Sequence, residues 1–245
     1  NEILHFVTSW DEDLKSLSAS VDGGKRNDVM KNHSATHLLH EALRSVLGSH
    51  VEQKGSLVAE NKLRFDFSHF EKITEEQLIH IESSVNDAIR SNAKLEEWRK
   101  MPIEEAKTMG AMALFGEKYG NEVRVVKFGE SVELCGGTHV PNTRDIEGLK
   151  IVSESSIASG IRRVEAVTGQ EYRQYIDSRL SLLDQIAALF GNPQDLEKAA
   201  SKVVSDNREL VKRLEKFSAK GQSQLADKLG EQAEEISGRS VIVSN

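Results

Sequence analysis

The chain has 245 residues, of which 38% are apolar and 29% charged, and a formal net charge of −7 at pH 7. This length and apolar share can bury a sizeable core, as one large domain or two modest ones. The acidic balance excludes a protein coated in basic surface for indiscriminate nucleic-acid binding, although local cationic clusters can still meet phosphate.

No run of about 18 apolar residues is available to span a bilayer, and the first residues lack the basic start and apolar stretch of a secretory signal. The single cysteine cannot form an internal disulfide. In a reducing compartment its thiolate is free to bind a metal or react. A cytosolic protein without membrane association is expected.

In chain order, residues 3–7 read as a strand with no initiator methionine ahead of them, which points to a piece of something longer. Asn27 or Asp28 can cap a helix that runs to Leu47 and stops at Gly48, where the left-handed conformation is accessible. Residues 63–68 alternate Leu63, Phe65 and Phe67 with Arg64, Asp66 and Ser68, the period-two pattern of a half-buried strand with Asp66 turned away from the core. Thr74 and Gln77 have capping-box spacing ahead of Leu78, Ile81, Val85 and Ile89, predicting a second amphipathic helix to about Asn92.

Pro102 suits the first turn of a short helix through Met109, and the β-branched residues of 123–128 predict a strand. A glycine-loosened loop over residues 135–139 follows. Two further strands are predicted over 149–154 and 161–167, joined by a small-residue linker over 155–160. Helices interleaved irregularly with strands give an α+β domain ending near Gly169.

Beyond that point the pattern turns helical. Residues 170–190 form one helix ended by Gly191, and Asn192 with Pro193 starts another. Leu196, Ala200, Val203, Leu210, Leu214 and Phe217 make a narrow apolar stripe along it, with a break at Gly221. An antiparallel helical hairpin or arm is expected, and the stripe equally fits a coiled-coil seam for self-association. A short strand over 240–244 reads as the stump of another module.

His33 and His37 stand four residues apart, as do Cys135 and His139 about a hundred residues later. Imidazole nitrogen and thiolate sulfur are preferred zinc ligands, and two short-range pairs can clamp one Zn2+ between two elements. On a helix, positions i and i+4 lie above one another, so the histidine pair can share an ion.

Four protein ligands are typical of a closed structural staple, whereas catalysis needs an exchangeable position; the neighbouring residues favour a reagent. A His-Glu-x-x-His peptidase is disfavoured, because position 34 is serine. His40 is expected to pack or support rather than ligate. His5, His50, His69 and His80, lacking partner spacing, are expected to be ordinary surface or strand histidines.

Gly136 and Gly137 permit a tight turn and close approach of a ligand. Thr36 can present its hydroxyl to a substrate or bond a carbonyl within its helix. Gln53 reads most simply as a surface residue. Arg162 and Arg163, adjacent on a strand, face opposite sides, so only one can join a basic surface with Lys54, Lys62 or Arg64.

Residues 32–40, 53–58, 64–69, 110–120, 133–140 and 160–169 together resemble the editing region of the alanyl-tRNA synthetase family, in order over roughly residues 1–169. The resemblance implies a two-layer zinc-binding α+β domain over 1–169, a helical hairpin arm over 170–230 and the start of a C-terminal module over 231–245; self-association through the arm or that module is a separate expectation, read from the apolar stripe.

It implies hydrolysis of seryl or glycyl esters wrongly attached to alanine tRNA, with the acceptor end of that tRNA as partner. His33, His37, Cys135 and His139 would ligate zinc, and Thr36 and Gln53 would line the pocket. Gly136 and Gly137 would shape the loop around the ester, and Arg162 would support tRNA. Residues 145–150 carry their glycine one position later than the family pattern. No aminoacylation motif or ATP site is found, so the charging reaction is not expected here.

Overall fold

A computed structural model describes residues 18, 20–113, 119–231, 234–236 and 239–241. Among them are five α-helices: α1 (Gly23–Leu47), α2 (Glu75–Arg90), α3 (Ile103–Thr108), α4 (Gly169–Leu189) and α5 (Leu196–Glu231). The strands are β1 (Gln53–Val58), β2 (Leu63–Ser68), β3 (Glu96–Pro102), β4 (Glu122–Phe128), β5 (Ser131–Leu134), β6 (Leu149–Ala158), β7 (Ile161–Thr168), β8 (Glu234–Ile236) and β9 (Arg239–Val241). The strand expected at residues 3–7 lies outside the described residues.

All named strand pairs are antiparallel. One sheet has the order β1-β2-β7-β6, a second β3-β4-β5, and β8 pairs with β9. The chain divides into two units, Asn1–Ile176 and Asp177–Asn245. In the first, Leu63, Phe65 and Phe67 of β2 and Val164 and Ala166 of β7 meet Leu39 and Leu43 of α1 and Ile81 and Val85 of α2 in one core. Met101, Val123, Val125 and Leu134 form a smaller core on the second sheet.

Helix α1 begins earlier than expected. Asp22 is its cap, with its carboxylate accepting from Lys25 N at 3.1 Å, and Gly48 closes it at φ 116°. The expected capping box of α2 is present: Thr74 Oγ1 accepts from Gln77 N, and Gln77 Oε1 accepts from Thr74 N. Residues 155–158, read as linker, continue β6 into a hairpin with β7. Strands β1, β3 and β5 were not anticipated.

Asp66 leaves the apolar core but is only 6% exposed, because Arg163 grips both of its oxygens at 2.6 and 2.8 Å. His50 and His69 are not independent surface groups either: His50 Nε2 lies 2.9 Å from His69 Nδ1 and the rings stack.

The displaced glycine of residues 145–150 has a structural counterpart. Glu147 itself takes φ 73°, a conformation costing a non-glycine residue about 1–2 kcal/mol. A Cβ at Gly148 would fall 2.5 Å from the Tyr172 ring, so the glycine serves close packing rather than the turn. Ion pairs from Glu147 to Lys31 and Arg173, both at 2.5 Å, offset the strain.

In the second unit, α5 starts at Leu196 rather than near Asn192; the capping carboxylate is that of Asp195, which accepts from Lys198 N at 2.8 Å. Gly221 does not break it. The expected hairpin burial of the stripe is not seen: α5 buries none of its residues, and Val203, Leu210, Leu214 and Phe217 are exposed.

Candidate metal centre

Helix α1 packs against the core through Ala35, Leu38, Leu39, Ala42 and Leu43. That face fixes its rotation and turns His33 and His37 towards the loop after β5. The loop is held by Arg124 of β4, whose guanidinium donates to the carbonyls of Cys135 at 2.7 Å and Gly137 at 2.6 Å. Glu97 accepts from the same guanidinium at 3.1 Å.

One potential ligand atom from each of His33, His37, Cys135 and His139 lies within 4.8 Å of the others. Cys135 Sγ is 3.3 Å from His139 Nε2 and 3.5 Å from His33 Nε2. With Zn–S near 2.3 Å and Zn–N near 2.05 Å, a tetrahedral edge between sulfur and nitrogen is about 3.6 Å. The two predicted pairs thus come together at a spacing one ion can bridge.

The hydrogen bonds around the rings leave suitable lone pairs. The Nδ1–H of His33 donates to Thr138 O at 3.1 Å, freeing Nε2. Ser34 Oγ lies 3.1 Å from His139 Nδ1 and accepts the Val140 N–H at 3.1 Å. His37 Nδ1 is buried with no hydrogen-bond partner, as is Nε2 of His40 one turn further along the helix.

Electrostatics point the same way. Burial, then the neighbouring His33, holds His139 down to about 3. His37 is pushed well below its usual value by burial and then by His139 and His33, and burial lowers His33 against an opposing bond from Thr138. Neutral imidazoles are the ligand form. Gly137 is required for space, since a Cβ there would lie 2.1 Å from His33 Cε1; a Cβ at Gly136 would meet nothing within 4 Å.

A cavity of about 180 Å³ opens beside the quartet, lined among others by His33, Thr36, His37, Gln53, Glu133 and Cys135. Thr36 and Gln53 therefore share one space with three of the four potential ligands. The Thr36 hydroxyl also donates to Asn32 O at 2.8 Å, so both roles read from the sequence coexist. A second cavity of about 490 Å³ shares His33, Leu134 and Cys135 with the first and extends along Arg124, Gly136 and Gly137.

Arg162 is placed elsewhere. Its side chain is 11% exposed and pairs with Glu154, whereas Arg163 points to the opposite face with Asp66. Sequence reading gave no role to Ser34, Arg124 or Glu133. Glu133 stood inside a recognised motif, but nothing in its spacing marked it as a partner of histidines 93 or more positions away.

Residues 123–165 match the family model described as "Threonyl and Alanyl tRNA synthetase second additional domain". The chain is 48% identical over 240 residues to the alanine–tRNA ligase of Parabacteroides distasonis, covering 98% of this chain and 28% of that protein. The corresponding ligase of Bacteroides fragilis is 51% identical over 226 residues, covering 92% of this chain and 26% of the relative. That of Porphyromonas gingivalis is 53% identical over 196 residues, covering 80% and 22%. The chain is homologous to a segment of the alanyl-tRNA synthetases. It spans about a quarter of the length of these relatives, and the aligned stretch takes in both units of this synthetase segment.

The depressed imidazoles make stability pH-dependent in the metal-free segment. Their folded values lie below the unfolded value of 6.5, so in the interval down to about 3 the unfolded chain binds the extra protons. Stability is expected to fall as pH drops from about 6.5 towards 3. Urea unfolding of chelator-treated protein across that range checks this, and a flat profile contradicts it.

Proposed function

We propose that residues 1–169 are a two-layer α+β editing domain that hydrolyses seryl and glycyl esters of alanine tRNA, with residues 170–230 as a helical arm and 231–245 as the start of a further module. The observation that carries this reading is the shared cavity: Thr36 and Gln53 line the same space as His33, His37 and Cys135. A cavity of about 180 Å³ equals the liquid volume of roughly six waters, room for a small aminoacyl group but not a nucleoside. The adjoining 490 Å³ cleft would take the terminal ribose and base.

His33, His37, Cys135 and His139 would hold Zn2+, which when bound would polarise the ester or anchor the ribose hydroxyls. Thr36 and Gln53 would orient the side chain of the misattached residue, the Gly136–Gly137 turn would lie along the ester, and Arg124 would hold that turn in place through the Cys135 and Gly137 carbonyls. Arg162 would support tRNA indirectly, by bracing the β6–β7 hairpin through Glu154. The acceptor end of alanine tRNA is the partner, and the cytosol is the setting that keeps the thiolate reduced.

The need for such a site is physical. A binding pocket rejects an isostere that merely adds a hydroxyl by only about a hundredfold, so a hydrolytic second sieve supplies the remainder. Identity with the ligases through both units favours a synthetase segment over a free-standing deacylase. The rival reading is a non-catalytic, zinc-stapled tRNA-binding module.

Incubating the full chain with Ser-tRNA and Gly-tRNA for alanine separates the two. Hydrolysis that is lost in Cys135→Ala and in Gln53→His is expected; tRNA binding without ester cleavage establishes the rival.

A further inference from the structure

A cavity of about 440 Å³ lies between α1, α2 and the β4–β5 turn, and it shares no lining residue with the two cavities beside the quartet. It exists because small side chains face one another. Positions 38, 41, 42 and 45 share one face of α1, as 84 and 88 share one of α2, and Ala42, Ser45, Ser84 and Ala88 stand where longer side chains would close the gap. Leu38, Ala42 and Phe128, each at most 6% exposed, give it an apolar floor. Its volume is that of small-molecule sites in general.

The charge around it is one-sided. Glu41 and Glu130 line the cavity, and no lysine, arginine or histidine does. Neither carboxylate enters an ion pair among the described residues, although both Glu52 and Glu97 nearby in sequence order to cations do so. Two unpaired carboxylates beside an apolar floor are complemented by a cation with an apolar body, whereas a phosphate or carboxylate ligand meets repulsion there. We propose that this cavity is an effector site for a small organic cation, its ammonium at Glu41 and Glu130 and its apolar part on Leu38, Ala42 and Phe128.

Two of the walls also touch the quartet. The Phe128 ring meets the His139 ring edge-on with centroids 5.9 Å apart, and Ser131 Oγ donates to His37 O at 3.3 Å. A molecule pressed against Phe128 and Ser131 therefore acts on one residue of each pair. By linkage, whatever the cation does to zinc affinity, zinc does equally to affinity for the cation. The link to the quartet rests on the metal reading above; binding of the cation does not.

Calorimetric titration of the full, chelator-treated chain with 2-naphthylmethylammonium is expected to show saturable binding, with the neutral 2-naphthylmethanol of the same shape binding more weakly. Glu41→Gln and Glu130→Gln should each weaken the ammonium by about two- to fivefold, the range of exposed ion pairs, and leave the alcohol unchanged. Ser45→Leu and Ser84→Leu fill the cavity from the two helices independently, and each should abolish binding of both probes at near-wild-type stability in urea. With zinc present, probe and metal are expected to change each other's affinity by at least about fivefold, the lower end of typical coupling.

No binding of the ammonium, or affinity equal to that of the alcohol, overturns the cation assignment, and binding that survives both leucine variants overturns the site. Affinities unchanged by the other component overturn the effector role. A wild-type chain that takes up no zinc defeats the metal reading, while the titration of the chelated protein still decides whether the cation binds.

Discussion

Gly137→Ala is expected to strip the metal centre of its affinity while leaving the rest of the domain folded. The added methyl would stand 2.1 Å from His33 Cε1 and 2.6 Å from His33 Nδ1. The imidazole has little room to retreat, because Nδ1 is bonded to Thr138 O in the same loop and Nε2 lies 3.5 Å from Cys135 Sγ. Relief requires the loop to lift off α1, which separates the ligand pairs. Overpacking of this kind costs about 1–3 kcal/mol, or roughly 5–150-fold in zinc affinity. Gly136→Ala is the internal control, since its methyl would meet nothing within 4 Å. Metal content after dialysis against a graded chelator reads both; equal loss in the two variants would show that loop flexibility matters rather than the His33 contact.

The second large effect concerns Arg162. Its side chain is 11% exposed and that of its partner Glu154 is 7% exposed, so truncating either leaves a charge in a poorly solvated place. Glu154→Ala and Arg162→Ala are each expected to cost about 3–5 kcal/mol in urea unfolding. Arg90→Ala, which removes the exposed pair with Asp87, is expected to cost under about 1 kcal/mol. If Arg162→Ala instead weakened tRNA binding at unchanged stability, its guanidinium would be a direct phosphate ligand and the bracing role would be wrong.

The sequence made the histidine–cysteine quartet legible because helical spacing and a glycine loop are local signals, and the convergence of two such pairs needs only one long connection. The α2 cap, the end of α1 at Gly48 and the alternation of β2 were legible for the same reason. Features fixed by distant partners were not. Strand β3, with two glutamates and an arginine among its seven residues, owes its form to pairing with β4, and residues 155–158 become strand because β7 lies alongside. Asp22 caps α1 through two glycines that propensity argues against. Gly221 costs about 1 kcal/mol relative to alanine, too little to interrupt a helix of 36 residues.

Within the site, the four residues that cluster were readable from their spacing and the groups packed around them were not. Ser34 appeared only as a residue that spoils a peptidase motif, yet its hydroxyl bonds Val140 N and lies against His139. Arg124 carried no spacing signal at all, because what it holds is backbone. Gln53, read as surface from its own segment, reaches the cavity because β1 adds to β2 there.

Cys135 and His33 are separated by 102 positions, which has a bearing on how the molecule is made. At a synthesis rate of about 5–20 residues per second, the first histidine pair waits roughly 5–20 s for its counterpart to emerge. During that interval an ion held by the histidine pair would have at most half its grip and would exchange readily with competing thiols. With the loop docked, an ion on all four residues would act as a reversible tie across about a hundred residues, a closure the chain-entropy model values at about 4.7 kcal/mol for a covalent link. Loading would then be a late event in the life of the nascent chain, set by translation as much as by affinity.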